Sequence, residues 1–98
     1  MKFIYKSKEK VITKQMKEEL ETELETFKSK FKLFSDEDRL HVEIERLKNF
    51  TWKLKINWWM SKIGRQLIAI NTEANFSKNI NQSREKLNAQ VEKMRIKR

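Results

Sequence analysis

The feature that most restricts the fold is the stretch WKLKINWWM at positions 52–60. Large apolar side chains occupy every second position, and the positions between them hold Lys53, Lys55, Asn57 and Trp59. A two-residue period of this kind predicts a β-strand with one face on a core and the other face open. We therefore expect Trp52 and Trp58 in the core, and Trp59 on the open face with the lysines.

The segments around this strand predict three further strands. Residues 2–8 are apolar and aromatic in their first half, and residues 40–45 alternate between apolar and polar side chains. A fourth, short strand is expected at 66–71, after a turn that holds the single glycine of the chain. Residues 48–51 are expected to connect the second and third strands as a hairpin.

Two segments repeat apolar residues every three or four positions, which predicts amphipathic helices. The first is expected to begin after Thr13 as N-cap and to run for about five to six turns. Its apolar stripe comprises Met16, Leu20, Leu24, Phe27, Phe31 and Phe34. The closing helix is expected to begin after Asn71 or Thr72. Its apolar stripe comprises Phe76, Ile80, Leu87, Val91 and Met94.

Together these elements predict a single α+β domain, residues 1–98, in the order β-α-β-β-β-α. A helix between the first two strands makes them parallel neighbours through a right-handed crossover. The later strands follow as antiparallel hairpins. Because each helix has one apolar stripe, both must cover the same face of the sheet. The predicted fold is therefore a four-stranded mixed sheet with two helices packed on one face.

Composition excludes several kinds of site. The chain has no cysteine, one histidine and one glycine, which excludes disulfides, thiolate zinc sites, multi-histidine metal sites and glycine-rich phosphate loops. His41 has no serine or cysteine partner in a recognisable pattern, so we expect no enzymatic activity, no cofactor and no small-molecule substrate. Asp36, Glu37 and Asp38 could hold a cation only loosely, since their spacing fits no calcium loop.

Apolar content also bears on location. The segment MKFIYKSKEK has too few apolar residues for a secretory signal, and no apolar run is long enough to cross a bilayer. We therefore expect a cytoplasmic protein without a membrane partner. Nothing in the sequence sets an oligomeric state.

The net charge of +9 favours a polyanionic partner, with nucleic acid ahead of membrane. One flank of the closing helix carries only amides and cations: Asn75, Asn79, Gln82, Lys86, Gln90, Lys93 and Lys97. Such side chains suit the phosphates and sugars of a nucleic acid, but a solvated helix face that lacks acids would show the same row. A thinner basic row on the first helix comprises Lys14, Lys17, Lys28 and Lys32.

Two longer segments carry a resemblance to a known family. Residues 7–27, SKEKVITKQMKEELETELETF, hold a strand end followed by a helix with the family's apolar spacing. Residues 67–95, LIAINTEANFSKNINQSREKLNAQVEKMR, include a pattern formed by Lys86, Leu87, Gln90, Val91 and Lys93. With the element order, these segments resemble the short hibernation-promoting, ribosome-associated inhibitor proteins. The tryptophan-rich third strand is not a feature of that family.

The resemblance implies a partner and a mode of action. It implies binding to small-subunit ribosomal RNA in the channel for messenger and transfer RNA, where the protein blocks translation by occupancy. The implied phosphate contacts are Lys86, Lys93 and Lys97, with Lys17 as their counterpart on the first helix. Two alternatives stay open: an RNA-binding module of the double-stranded-RNA-binding type, which begins with a helix, and a protein-interaction domain that uses Trp59 and has incidental basic charge.

Overall fold

The structure is a computed structural model that describes residues 1–7 and 12–96, the last two of these by their backbone alone. Its elements are β1 (Lys2–Lys6), α1 (Lys14–Ser29), β2 (Arg39–Arg46), β3 (Trp52–Met60), β4 (Arg65–Glu73) and α2 (Phe76–Ile96). The predicted order β-α-β-β-β-α is confirmed. The strand predicted at 2–8 ends at Lys6, one residue before Ser7, and residue 8 lies outside the described residues.

The four strands form one sheet in the order β1-β2-β3-β4. β1 pairs with β2 in parallel across the crossover that contains α1, and the other two pairs are antiparallel. Both helices pack on the same side of this sheet, which we call the covered face. The other side is the open face. The predicted mixed sheet with two helices on one face is therefore confirmed.

The core lies between the covered face and the two helices. Leu54, Ile56, Trp58 and Met60 are completely buried there, whereas Trp59 on the open face is 40% exposed. The two-residue period of β3 thus has the predicted register. Trp52 lies at the border of the core, half-buried, with its ring centroid 5.7 Å from that of Phe76.

Helix α1 begins as predicted but ends earlier. The Thr13 hydroxyl accepts a hydrogen bond from the Met16 amide at 3.1 Å, which is the expected N-cap. The helix ends at Ser29, so Phe34 belongs to the connection that follows. It still reaches the core, where its ring centroid lies 4.4 Å from that of Trp58. Apolar spacing continued past the helix end because both segments pack on one core, and no glycine or proline marks the boundary.

Helix α2 begins later than predicted. Asn71 lies opposite Leu54 in the β3–β4 ladder, and β4 continues to Glu73. The side-chain oxygen of Asn75 instead accepts a hydrogen bond from the Lys78 amide at 2.9 Å, so Asn75 is the cap. Asn71 was a wrong choice of cap because its amide serves a different contact, described below.

Candidate nucleic-acid interface

The proposed interface depends on what the flank of α2 touches. β4 is an edge strand of the sheet, and edge strands leave backbone groups unpaired. Gln90 fills this gap at Ile68: its Nε2 donates to the Ile68 carbonyl at 2.6 Å, and its Oε1 accepts from the Ile68 amide at 3.1 Å. Lys86 Nζ donates to the Ile70 carbonyl at 2.6 Å. We call these three bonds the β4 edge contacts.

Asn79 and Gln82, earlier in the predicted row, are even less accessible to a ligand. Asn79 is completely buried, where its Nδ2 donates to the Trp52 carbonyl at 2.7 Å and its Oδ1 accepts from Asn71 Nδ2 at 3.0 Å. Asn71 also donates to Gln82 at 2.8 Å. Asn79 is therefore wrong as an RNA-facing residue. The helical projection placed it on the correct flank, but that flank packs against β4.

The second half of the row keeps its cations accessible. Lys86 and Lys93 are exposed, and Lys93 has no side-chain partner among the residues that the structure describes. Lys97 lies outside the described residues. The exposed described members of the predicted row are thus Lys86, Lys93 and the cap residue Asn75, whereas Gln82 and Gln90 are half-buried.

The lysines of α1 lie elsewhere. Lys17 is exposed, with its Nζ 5.1 Å from the centre of the Tyr5 ring on β1. Lys86 touches β4, at the opposite edge of the sheet. With a spacing of about 4.8 Å between strands, the two edges are roughly 14 Å apart. The structure therefore does not bring Lys17 and Lys86 together on one track.

Lys28 is the least available of the predicted cations. Its side chain is 19% exposed and forms an ion pair with Asp36, whose side chain is 91% exposed. The hydrogen bond from Lys28, followed by its charge, lowers the pKa of Asp36. Lys28 is thus already neutralised in part by a carboxylate.

Asp38 is a structural residue, and its carboxylate is not available even for the loose cation contact considered for residues 36–38. It is completely buried. One carboxylate oxygen accepts from Trp58 Nε1 at 2.9 Å and from the Ser35 amide at 3.1 Å. The other accepts from the amide and hydroxyl of Ser61, at 2.9 and 3.1 Å. Four donors occupy the four lone-pair sites of the carboxylate, which leaves no position for a cation.

Tyr5 joins β1 to α1 on the covered face. Its hydroxyl donates to Glu21 at 2.6 Å. Burial of the ring, and then the bond to this carboxylate, raise the pKa of Tyr5 far above its ordinary value. The contact fixes α1, and so the position of Lys17.

Sequence reasoning missed a basic group at one end of the molecule. Lys62 Nζ, in the β3–β4 turn, donates to the Lys32 carbonyl at 3.2 Å. This contact brings Lys62 to the connection after α1, near Lys28 and Asp36. The residues are 30 positions apart in sequence, so no local pattern could have paired them.

Arg84, by contrast, forms an ion pair with Glu23 that joins the two helices. Its Nε lies 2.7 Å from Glu23 Oε1, and its side chain is 28% exposed. Arg84 therefore holds α2 against α1 and contributes little to the external charge.

Within residues 1–7 and 12–96, no three His, Cys, Asp or Glu side chains are placed to hold a metal ion. Among the same residues, no helix is both long enough and apolar enough to cross a membrane. What the surface offers is exposed ammonium groups on a rigid helix–sheet frame.

Comparison with known proteins shows similarity in structure but not in sequence. No protein family and no curated protein matches the sequence. A ribosomal subunit interface protein from Coxiella burnetii has a similar structure, with a TM-score of 0.76 over 98% of this chain and 99% of that chain, at 16% identity. The N-terminal domain of Thermus thermophilus Protein Y is also similar, with a TM-score of 0.70 over 95% of this chain and 94% of that chain, at 16% identity. The resemblance that the sequence indicated is therefore confirmed for the fold.

Proposed function

We propose that this protein is a ribosome-associated regulator of translation that binds small-subunit ribosomal RNA. The observation that carries the proposal is the match in fold to a ribosomal subunit interface protein over nearly the full length of both chains. The net charge of +9 agrees with an RNA partner. The double-stranded-RNA-binding alternative loses support, since β1 precedes α1.

The α2 edge of the molecule is the proposed contact surface. Lys86 donates one hydrogen bond to the Ile70 carbonyl, and an ammonium group can donate three. Two donors on Lys86 therefore remain for a phosphate. Lys93 is seven residues further along α2, about two helical turns, so both can meet one RNA backbone. The β4 edge contacts hold α2 in place, which reduces the entropy lost when its lysines bind.

The proposed mode of action is occupancy of the channel for messenger and transfer RNA, with no bond made or broken. Lys97 would extend the contact beyond Lys93. Lys17 would meet a different RNA segment, because it lies at the opposite edge of the sheet. Ribosome hibernation is the outcome that we propose for such occupancy.

The test is co-sedimentation with ribosomes at moderate salt. The double variant Lys86→Gln, Lys93→Gln removes two charges, and each replacement side chain still carries an N–H donor. We expect it to weaken binding at least tenfold, since a charge that meets its partner across an interface contributes more than a distant one. The control, Lys48→Gln with Lys53→Gln, makes the same change in charge in the β2–β3 connection and on the open face.

The outcomes of this test separate the parts of the proposal. Equal losses in both double variants would show that only net charge matters and that α2 is not the contact. Failure of the wild-type protein to sediment with ribosomes would overturn the proposed function. With about five phosphate contacts, log affinity should fall against log salt with a slope of roughly −3.5 to −4.5. A flat dependence would favour the protein-interaction alternative.

A further inference from the structure

The open face of the sheet is divided into two halves of different chemistry. The strand register places side chains in rows that cross all four strands. The first two rows are Lys2, Arg39, Trp59, Gln66 and Ile4, His41, Asn57, Ile68. Neither row contains an acid. We call these two rows the Trp59 half-face.

The other half of the open face mixes the two signs of charge, with Lys6, Lys53 and Lys55 beside Glu43 and Glu45. Lys55 lies opposite Glu43, with 3.6 Å between Nζ and the carboxylate. Lys53 lies opposite Glu45. An anionic ligand gains little there, because each cation already faces a carboxylate across the strands. The two halves therefore differ in their attraction for phosphate.

Trp59 and Arg39 are the centre of the Trp59 half-face. They are direct cross-strand neighbours, so their β-carbons are about 5 Å apart. Trp59 is 40% exposed. Among the residues that the structure describes, neither the indole nor the guanidinium has a side-chain partner. An unpaired guanidinium beside an exposed indole offers a phosphate donor and a flat stacking surface within one ligand's reach.

The surroundings extend this surface in a way that suits an unpaired base. Lys2 continues the positive charge on the β1 side, and Ile68, 44% exposed, adds apolar area on the β4 side. His41 and Asn57 lie opposite each other in the next row and can hydrogen-bond to the edge of a base. A shallow hollow of about 570 Å³ lies between this row and the next, lined by Ile4, His41 and Asn57 on one side and by Lys6, Glu43 and Lys55 on the other.

We propose that the Trp59 half-face binds single-stranded nucleic acid, with a base stacked on Trp59 and its phosphate held by Arg39 and Lys2. The charge favours a polyanion over an apolar protein partner, because a protein interface would bury Arg39 and Lys2 without a counter-charge on this chain. A duplex does not fit, since its bases present no free face for stacking. This surface is separate from the α2 edge and goes beyond the proposed ribosome contact.

The test uses the full chain and a labelled hexa-adenylate RNA, with anisotropy as the measure of affinity. We expect Trp59→Ala to weaken binding about tenfold or more, as loss of base stacking does in single-strand binders. Trp59→Phe should retain most of the affinity, because a phenyl ring still stacks. Arg39→Ala should weaken binding and lower the salt slope by about 0.7, the amount expected for one phosphate contact to a single strand.

Matched controls distinguish this surface from the α2 edge. Lys86→Gln with Lys93→Gln should leave hexa-adenylate binding within about twofold, and an unlabelled RNA duplex should compete poorly. Circular dichroism establishes that each variant is folded. Wild-type affinity in Trp59→Ala, or no binding of hexa-adenylate by the wild type, overturns the proposal. Concentration-dependent dimerisation that Trp59→Ala abolishes, with no RNA binding, would assign this half-face to a protein contact instead. None of these outcomes depends on whether the chain binds ribosomes.

Discussion

The two faces of the sheet use polar groups in opposite ways. On the covered face, the Asp38 carboxylate is surrounded by four donors, one of which is Trp58 Nε1. On the open face, Arg39 and Trp59 stand side by side without side-chain partners among the described residues. These pairs are sequence neighbours, 38 with 39 and 58 with 59. One step along the chain therefore separates a group that stabilises the fold from a group that is accessible to a ligand.

Replacement of Trp58 should give the largest effect and would break the covered face. Trp58→Ala removes a completely buried ring and leaves a donor-deprived carboxylate at Asp38. We expect a loss of about 3–5 kcal/mol in the free energy of unfolding, as for other large-to-small core changes. Urea unfolding followed by circular dichroism measures it.

The matched control is the adjacent residue on the open face. Trp59→Ala should change the free energy of unfolding by about 1 kcal/mol or less, the range for a cross-strand pair. Comparable losses in Trp58→Ala and Trp59→Ala would contradict the register of β3.

A second change sharpens the role of charge on the covered face. Asp38→Asn keeps the shape of the side chain but replaces one acceptor oxygen by an NH₂ donor, which then meets N–H donors from Trp58 or Ser61. We expect a loss of about 1–3 kcal/mol, the cost of leaving a buried polar group unsatisfied. Glu37→Gln is the control, because that side chain is exposed. An unchanged free energy of unfolding in Asp38→Asn would show that the four hydrogen bonds do not stabilise the fold.

A third change tests the β4 edge contacts. Gln90→Ala removes both hydrogen bonds to the Ile68 backbone. We expect a loss of about 1 kcal/mol and faster hydrogen exchange at the Ile68 amide. Gln90→Glu keeps the acceptor for that amide but loses the donor to the carbonyl, so its Ile68 amide should stay more protected. Unchanged exchange in Gln90→Ala would show that solvent already reaches this edge.

The smallest effect concerns pH and the single tyrosine on the covered face. Because the pKa of Tyr5 is raised by burial and by Glu21, the folded protein holds this proton at pH values where the unfolded chain releases it. The contribution to stability is therefore complete below the unfolded pKa of about 10 and is lost as pH rises above it. The ultraviolet absorbance of tyrosinate should appear in the folded protein only at higher pH than in urea. Identical titrations would exclude a buried Tyr5 hydroxyl.

Much of the fold follows from local pattern. The alternation in β3 was sufficient to separate Trp58 from Trp59, and the hydroxyl of Thr13 correctly indicated the start of α1. Helix ends were harder, because Phe34 keeps helical spacing outside the helix. Asn71 looked like a cap because Asn is common there, yet it lies within a strand and its amide bonds to α2.

The candidate site was predictable only in part, since its chemistry depends on contacts that are distant in sequence. The flank of α2 looks solvated in a helical projection, but 22 positions separate Gln90 from the Ile68 backbone that it contacts. Asp38 and Trp58 are 20 positions apart. Nothing near Asp38 in sequence marks it as a buried hydrogen-bond acceptor. Nothing near Lys86 shows that its ammonium group donates to the Ile70 carbonyl.

The β4 edge contacts also bear on how the chain is made. The backbone of Ile68 and Ile70 can be satisfied by side chains only after α2 has been synthesised and has docked. Until then the chain carries a β4 edge with free hydrogen-bonding groups, which favours association with other chains. Docking of α2 thus ends the exposure of these backbone groups, and a chain that stops before Gln90 should aggregate more readily than the full chain.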